Sequence, residues 1–151
     1  MRIFVDADSC PRLARELVIR AAKRLHVQAV FAANKLIPGV KGEFLAMELC
    51  PDGPGTADDY IVEQAREGDL AITRDVPLAA RLTANSVSVI DDRGRVFDRN
   101  NIGQLLSLRD FQVQAAENGL GVPRFPNYGK RELKTFADSF DRLTRKLSIR
   151  K

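Results

Sequence analysis

The side chains in this sequence most suited to chemistry are aspartates, and they fall in three short motifs. Asp6 and Asp8 stand in F-V-D-A-D-S-C-P, Asp58 and Asp59 in A-D-D-Y-I-V, and Asp75 in L-A-I-T-R-D-V-P. Residues 2–5 form a β-prone run that delivers Asp6 and Asp8, and Leu70, Ala71 and Ile72 form an apolar run that delivers Asp75. Runs of this kind suit strands buried on both faces of a parallel sheet. In open α/β sheets, ligands bind beyond the carboxyl ends of the strands, so two strands far apart in sequence aim carboxylates at one edge. Acids so close together are tolerated only where cations neutralise them or some hold a proton. A divalent metal is the economical answer. Mg or Mn takes oxygen ligands, lowers the pKa of a bound water and steadies charge on a phosphoryl group. No histidine base is required for such chemistry, and His26 is the only histidine present. The plainer alternative is that these acids cap helices: Asp75 has the position of an N-cap before Val76 and Pro77, and Asp58 and Asp59 fall in the first turn of a helix.

The elements that must position these acids alternate between strand and helix. After Asp8, Ser9 is the expected N-cap of a first helix, with Pro11 in its first turn and Leu13, Leu17, Ala21 and Leu25 as its apolar stripe. Residues 27–33 read as the second strand, 34–42 as a loop and 44–49 as the third strand. Pro51, Gly53, Pro54 and Gly55 break the chain before a helix capped by Thr56, and Gly68 ends the approach to the strand at Leu70. A helix over 76–83, a strand over 87–90, a turn at D-D-R-G and a short extended piece over 95–97 follow. The alternation then stops. Ile102, Leu105, Leu106 and Phe111 mark a further helix, residues 119–129 an irregular arm, and Leu133, Phe136, Ala137, Phe140, Leu143 and Leu147 a closing amphipathic helix.

A chain of 151 residues with 44% apolar and 29% charged residues suits one soluble domain. No apolar run approaches the roughly 20 residues needed to cross a bilayer, and Arg2 and Asp6 interrupt any signal sequence, so a cytoplasmic protein with no membrane partner is expected. The two cysteines, Cys10 and Cys50, are expected to stay unpaired. A formal charge of +4 tilts the partner question towards polyanions. If a polyanion crosses the acids, flanking cations must admit it, and the resemblance given below implies that it is single-stranded RNA. Arg12, Lys35, Arg74 and the Lys130, Arg131 pair lie next to the acid motifs or in loops near them.

The three acid motifs resemble the YaiI/YqxD family, also called UPF0178 or DUF188. R-G at Arg93 and Gly94, R-D-F at Arg109 to Phe111 and F-A-D-S-F-D-R at Phe136 to Arg142 extend the likeness over nearly the whole chain, with Ser9 standing where the family usually has alanine. That family is similar to PIN-like domains. The resemblance implies an α/β three-layer sandwich with a central, mostly parallel sheet and helices on both faces. It further implies a single PIN-like domain over 1–151, with a helical extension from about residue 100 onward. An acid cluster holding Mg or Mn for RNA cleavage follows from the same likeness. Carried across by motif, Asp6 matches the acid closing the first strand, Asp58 the acid three residues before Ile61, and Asp75 the acid of T-x-D. Thr73 matches the hydroxyl residue of T-x-D, and Asp8 is an extra acid, a further ligand or a helix cap. The function implied is a metal-dependent nuclease. The alternatives are a non-catalytic metal- or nucleic-acid-binding domain and, on D-A-D with Asp91 and Asp92, a haloacid dehalogenase-like phosphatase.

Overall fold

Strand β1 (Ile3–Asp6) is buried at every position, as an apolar run without alternation requires. The computed structural model describes residues 1–120 and 127–149; residues 121–126, inside the expected arm, and residues 150–151 lie outside the described residues. The further strands are β2 (Ala29–Ala33), β3 (Leu45–Leu49), β4 (Leu70–Ile72), β5 (Ser88–Ile90) and β6 (Val96–Phe97). They form one six-stranded sheet in the order β3-β2-β1-β4-β5-β6. All neighbours run parallel except β5 and β6. The helices are α1 (Arg12–Leu25), α2 (Thr56–Gln64), α3 (Val76–Ala84), α4 (Ile102–Glu117) and α5 (Lys130–Ile149). The result is the expected α/β sandwich of three layers with a mostly parallel sheet.

This strand order dictates which face each helix covers. The chain moves outward from β1 to β2 and β3, then crosses back over β1 to reach β4 and continues to β5. Parallel crossovers are right-handed, so reversing direction across the sheet moves the connecting helix to the opposite face. The core divides accordingly. Ile3 and Val5 pack with α1 and α5, whereas Phe4 packs with α2 and α3. By the same alternation Asp6 belongs to the α2 and α3 face. The direction of the sheet reverses between β1 and β4, which makes the carboxyl ends of those two strands the topological switch point.

Three local expectations are corrected. The stripe that α1 buries is Ala14, Val18, Ala21 and Ala22, one position round from the expected one, while Leu25 is exposed. Phe136 and Phe140 of α5 share that core cluster, and small residues on α1 leave room for them. Ser9 does not cap α1: Pro11 is the N-cap and makes no side-chain cap bond, because the Ser9 hydroxyl turns back to Asp6. Thr56 does not cap α2 either. Gly55 occupies that position at φ 76°, and the Thr56 hydroxyl donates to the Pro51 carbonyl at 2.5 Å.

The last helix belongs to the core rather than to its margin. Phe136, Phe140, Leu143 and Leu147 are buried as expected, with Ser139 and Thr144 beside them. Ser139 donates to the Gly94 carbonyl at 2.7 Å. A Cβ on Gly94 would stand 2.6 Å from the Thr135 carbonyl oxygen, and its φ is +88°, so only glycine lets the turn between β5 and β6 approach this helix. By contrast α4 buries no residue fully and exposes Leu108, Phe111 and Val113. Among the described residues no helix is long and apolar enough to cross a membrane.

Candidate functional site

The switch point presents Asp6 and Thr73 side by side. Asp6 closes β1 and is 8% exposed; Thr73 follows β4 and is 3% exposed. The Thr73 hydroxyl donates to Asp6 Oδ2 at 2.8 Å, and the Ser9 hydroxyl reaches the same oxygen at 3.2 Å. Thr73 is itself oriented, because the Asp75 backbone N–H donates to its Oγ1 at 3.0 Å. Burial pushes the Asp6 carboxyl above its ordinary value, the two hydroxyl bonds oppose that rise, and the charges of Asp75 and Asp8 add to it.

The other acids arrive from the helices on the same face. Asp58, in the first turn of α2, is half-buried and its carboxyl is pushed up to about 6, first by burial and then by the charges of Asp6 and Asp75. Asp59 turns away and pairs with Arg81 at 3.0 Å, both of them exposed, so Asp58 is the member of the pair that faces the acids. Asp75 is the N-cap of α3, its Oδ1 accepting the Leu78 N–H at 3.0 Å. That cap occupies one oxygen in structure. Asp8 is exposed and accepts the Asn34 N–H at 2.9 Å, which ties the end of β1 to the end of β2.

Among the described residues no three His, Cys, Asp or Glu side chains come together closely enough to hold an ion as they stand. The donor chemistry nevertheless suits a hard divalent cation. Asp6, Asp58 and Asp75 offer oxygen alone, and the repulsion that adds to burial in raising Asp58 is what such a cation relieves.

The cations are distributed less simply than the sequence implied. Arg74 is held by an acid within the fold. Its Nε donates to Asp92 Oδ2 at 3.0 Å and its Nη2 reaches the same oxygen, with Asp92 only 4% exposed. Arg12 is exposed at the start of α1, 3.9 Å from Glu16, and Lys35 is exposed in the loop after β2. Lys130 is exposed at the start of α5, whereas Arg131 lines a hollow with Arg93, Glu132 and Thr135 in which none of the site acids takes part.

Two contributors went unread in the sequence. Ser9 lies three residues after Asp6, the spacing at which a hydroxyl folds back on a carboxylate, but it was assigned to a helix cap. Asp92 was singled out only for its likeness to a phosphatase acid, and nothing local marks it as the partner of Arg74. It is instead a structural acid, as is Asp91, whose Oδ1 accepts the N–H groups of Arg93 and Arg95 at 2.9 and 2.8 Å. Cys10 and Cys50 are both unpaired. Burial pushes the Cys10 thiol up to about 12, which leaves it a poor nucleophile.

Comparison with known proteins follows the same motifs. Residues 4–146 match DUF188, described as "Uncharacterized BCR, YaiI/YqxD family". A UPF0178 protein of Treponema denticola is 43% identical over 146 residues, which cover 97% of this chain and 93% of that protein. One of Psychrobacter cryohalolentis is 44% identical over 151 residues, covering 96% of this chain and 100% of that protein. A third, from Stutzerimonas stutzeri, is 41% identical, with 98% of each chain covered. No solved structure matches. A family match that spans both the acid motifs and the closing helix, with relatives as alike as these over nearly their full length, makes this chain a member of the YaiI/YqxD family, UPF0178.

Proposed function

We propose that the protein is a divalent-metal-dependent phosphodiesterase of the ribonuclease type, acting at the switch point of the sheet. The observation that carries this reading is the meeting of Asp6 and Thr73 at the switch point, 2.8 Å apart, with Thr73 held in turn by the Asp75 N–H at 3.0 Å and Asp58 in the first turn of α2 on the same face. Three acids from β1, α2 and the start of α3 thus share one electrostatic neighbourhood, as a metal site for phosphoryl chemistry requires. In this reading Asp6, Asp58 and Asp75 hold Mg or Mn, with Asp8 at the rim. The ion would supply an activated water and charge stabilisation at the phosphoryl group. Thr73 and Ser9 are positioning residues: their hydroxyls engage Oδ2 of Asp6 and leave Oδ1 without a hydroxyl partner from either of them. The substrate is single-stranded RNA, admitted past the acids by Arg12 and Lys35. The protein acts in the cytoplasm.

Calorimetry with Mn is the first test, and the expected result is saturable binding to the wild type that is lost in Asp6→Asn. Labelled single-stranded RNA at low salt is the second. Cleavage is expected only with the metal, and Asp6→Asn should bind RNA without cutting it. Equal Mn binding by both proteins would assign the ion elsewhere. Metal binding without cleavage would favour the non-catalytic domain, a reading that the Asp75 cap of α3 already supports in part.

A further inference from the structure

Beside the acid site the described residues line a cavity of about 480 Å³ between the β5–β6 turn and α4. Its volume falls within the roughly 300–1,000 Å³ typical of small-molecule sites. Four arginines line it, Arg74, Arg93, Arg95 and Arg109, against the two acids Asp91 and Asp92. These charges are not equivalent. Arg74 is joined to Asp92, and Arg93 approaches Glu132 at 4.0 Å. Arg95 is exposed and forms no salt bridge among the described residues. Among the described residues Arg109 forms one salt bridge, with the exposed neighbour Asp110 at 3.7 Å. The Asp91 carboxylate pins the backbone of Arg93 and Arg95, so the turn that carries these cations has a fixed shape.

Val76, Phe97, Leu105 and Leu108 add apolar lining, and Leu108 remains 51% exposed. Cations and apolar side chains lining one cavity match a ligand that joins a phosphate to a planar ring. The location is equally specific. Arg74 and Asp92 line both this cavity and a small crevice reached by Asp6, Ser9 and Thr73. A ligand in the cavity therefore lies next to the acids, separated from them by one ion pair.

We propose that this cavity is a nucleotide pocket, with phosphate held by Arg95 and Arg109 and the base laid against Leu105 and Leu108. Its role of seating the nucleotide beside the reacting phosphodiester rests on the function proposed above; the binding itself needs neither metal nor cleavage. The test is calorimetry in EDTA with adenosine monophosphate, adenosine and inorganic phosphate as separate probes. Adenosine monophosphate should bind saturably and more tightly than either of the other two. Arg95→Ala and Arg109→Ala should each weaken it by about tenfold, the scale of one charge-assisted hydrogen bond. Both side chains are exposed, so these variants should melt as the wild type does. Absence of saturable binding, indifference to both arginine substitutions, or phosphate binding as tightly as the nucleotide would each overturn the pocket. If the nucleotide binds as expected but RNA is never cut, the hydrolytic reading fails and the pocket stands. If RNA is cut with ordinary KM by both arginine variants and they bind adenosine monophosphate like the wild type, the pocket fails alone.

Discussion

Two buried aspartates stand at opposite edges of the central pair of strands, and their surroundings differ in kind. Asp69 precedes β4 and is 6% exposed; Asp6 ends β1 and is 8% exposed. Asp69 is answered by a cation and by the main chain. Arg2 Nη2 reaches its Oδ2 at 3.1 Å, and the N–H groups of Arg2 and Arg66 donate to it at 2.8 and 2.9 Å. Asp6 receives two neutral hydroxyls, and the acids Asp75 and Asp8 oppose its charge. A buried carboxylate with a cation and backbone donors closes a structure. One with neutral donors and acidic neighbours holds its charge at a cost, which the cation proposed above would lower. The contrast also falls on the two edges of a parallel sheet, with structure at the amino end and the candidate site at the carboxyl end, as strand topology leads one to expect.

The sharpest way to break the comparison is to remove each acid in turn. Asp69→Ala leaves the Arg2 guanidinium and two backbone N–H groups without their acceptor, and a loss of about 2–3 kcal/mol in urea unfolding is expected. Asp75→Ala removes the α3 cap and should cost about 1 kcal/mol in metal-free protein, measured in the same way. Asp6→Asn keeps an acceptor for Thr73 and Ser9 while deleting a repelled charge. Its stability without metal should therefore stay within about 1 kcal/mol of the wild type, or exceed it. A loss at Asp6 as large as that at Asp69 would make both residues structural and erase the distinction.

The smallest effect is a pH dependence. The folded carboxyl of Asp58 is raised from 3.8 to about 6, so the folded state binds its proton more tightly than the unfolded chain. Between those values stability falls as pH rises, and above about 6 the full cost of the ionised group is present. Asp58→Asn should therefore be more stable than the wild type at neutral pH. That advantage should shrink as pH is lowered through 6 and towards 4, as thermal melts of the two proteins in parallel would record. An advantage independent of pH would mean that neither burial nor the neighbouring acids raise the Asp58 carboxyl.

Much of this arrangement was legible along the chain. Strand β4 is an apolar run between Asp69 and Thr73, and its boundaries follow from composition alone. The position of Ile61 singles out Asp58 from Asp59, and in the structure Asp59 pairs with Arg81. The R-G and F-A-D-S-F-D-R motifs gain a physical meaning only when α5 is docked, since Gly94 is needed for its contact with Thr135 and Ser139. The buried stripe of α1 was misplaced by one position because leucine is the stronger apolar signal, whereas the space beside α5 selects alanine and valine.

By itself the sequence determined what depends on neighbours along the chain: the alternation of strand and helix, the turns, and the acids placed after two strands. Those properties are set by hydrophobic period and backbone restriction, which act over a few residues. Only the tertiary structure decided which charges are satisfied. Arg74 and Asp92 are 18 residues apart and meet because one crossover sets β4 beside β5. Arg2 and Asp69 are 67 apart and meet because β1 lies against β4. Whether an aspartate is a brace or a site depends on what the fold brings within a few ångströms of it, and electrostatic energy inside a protein falls steeply with that distance.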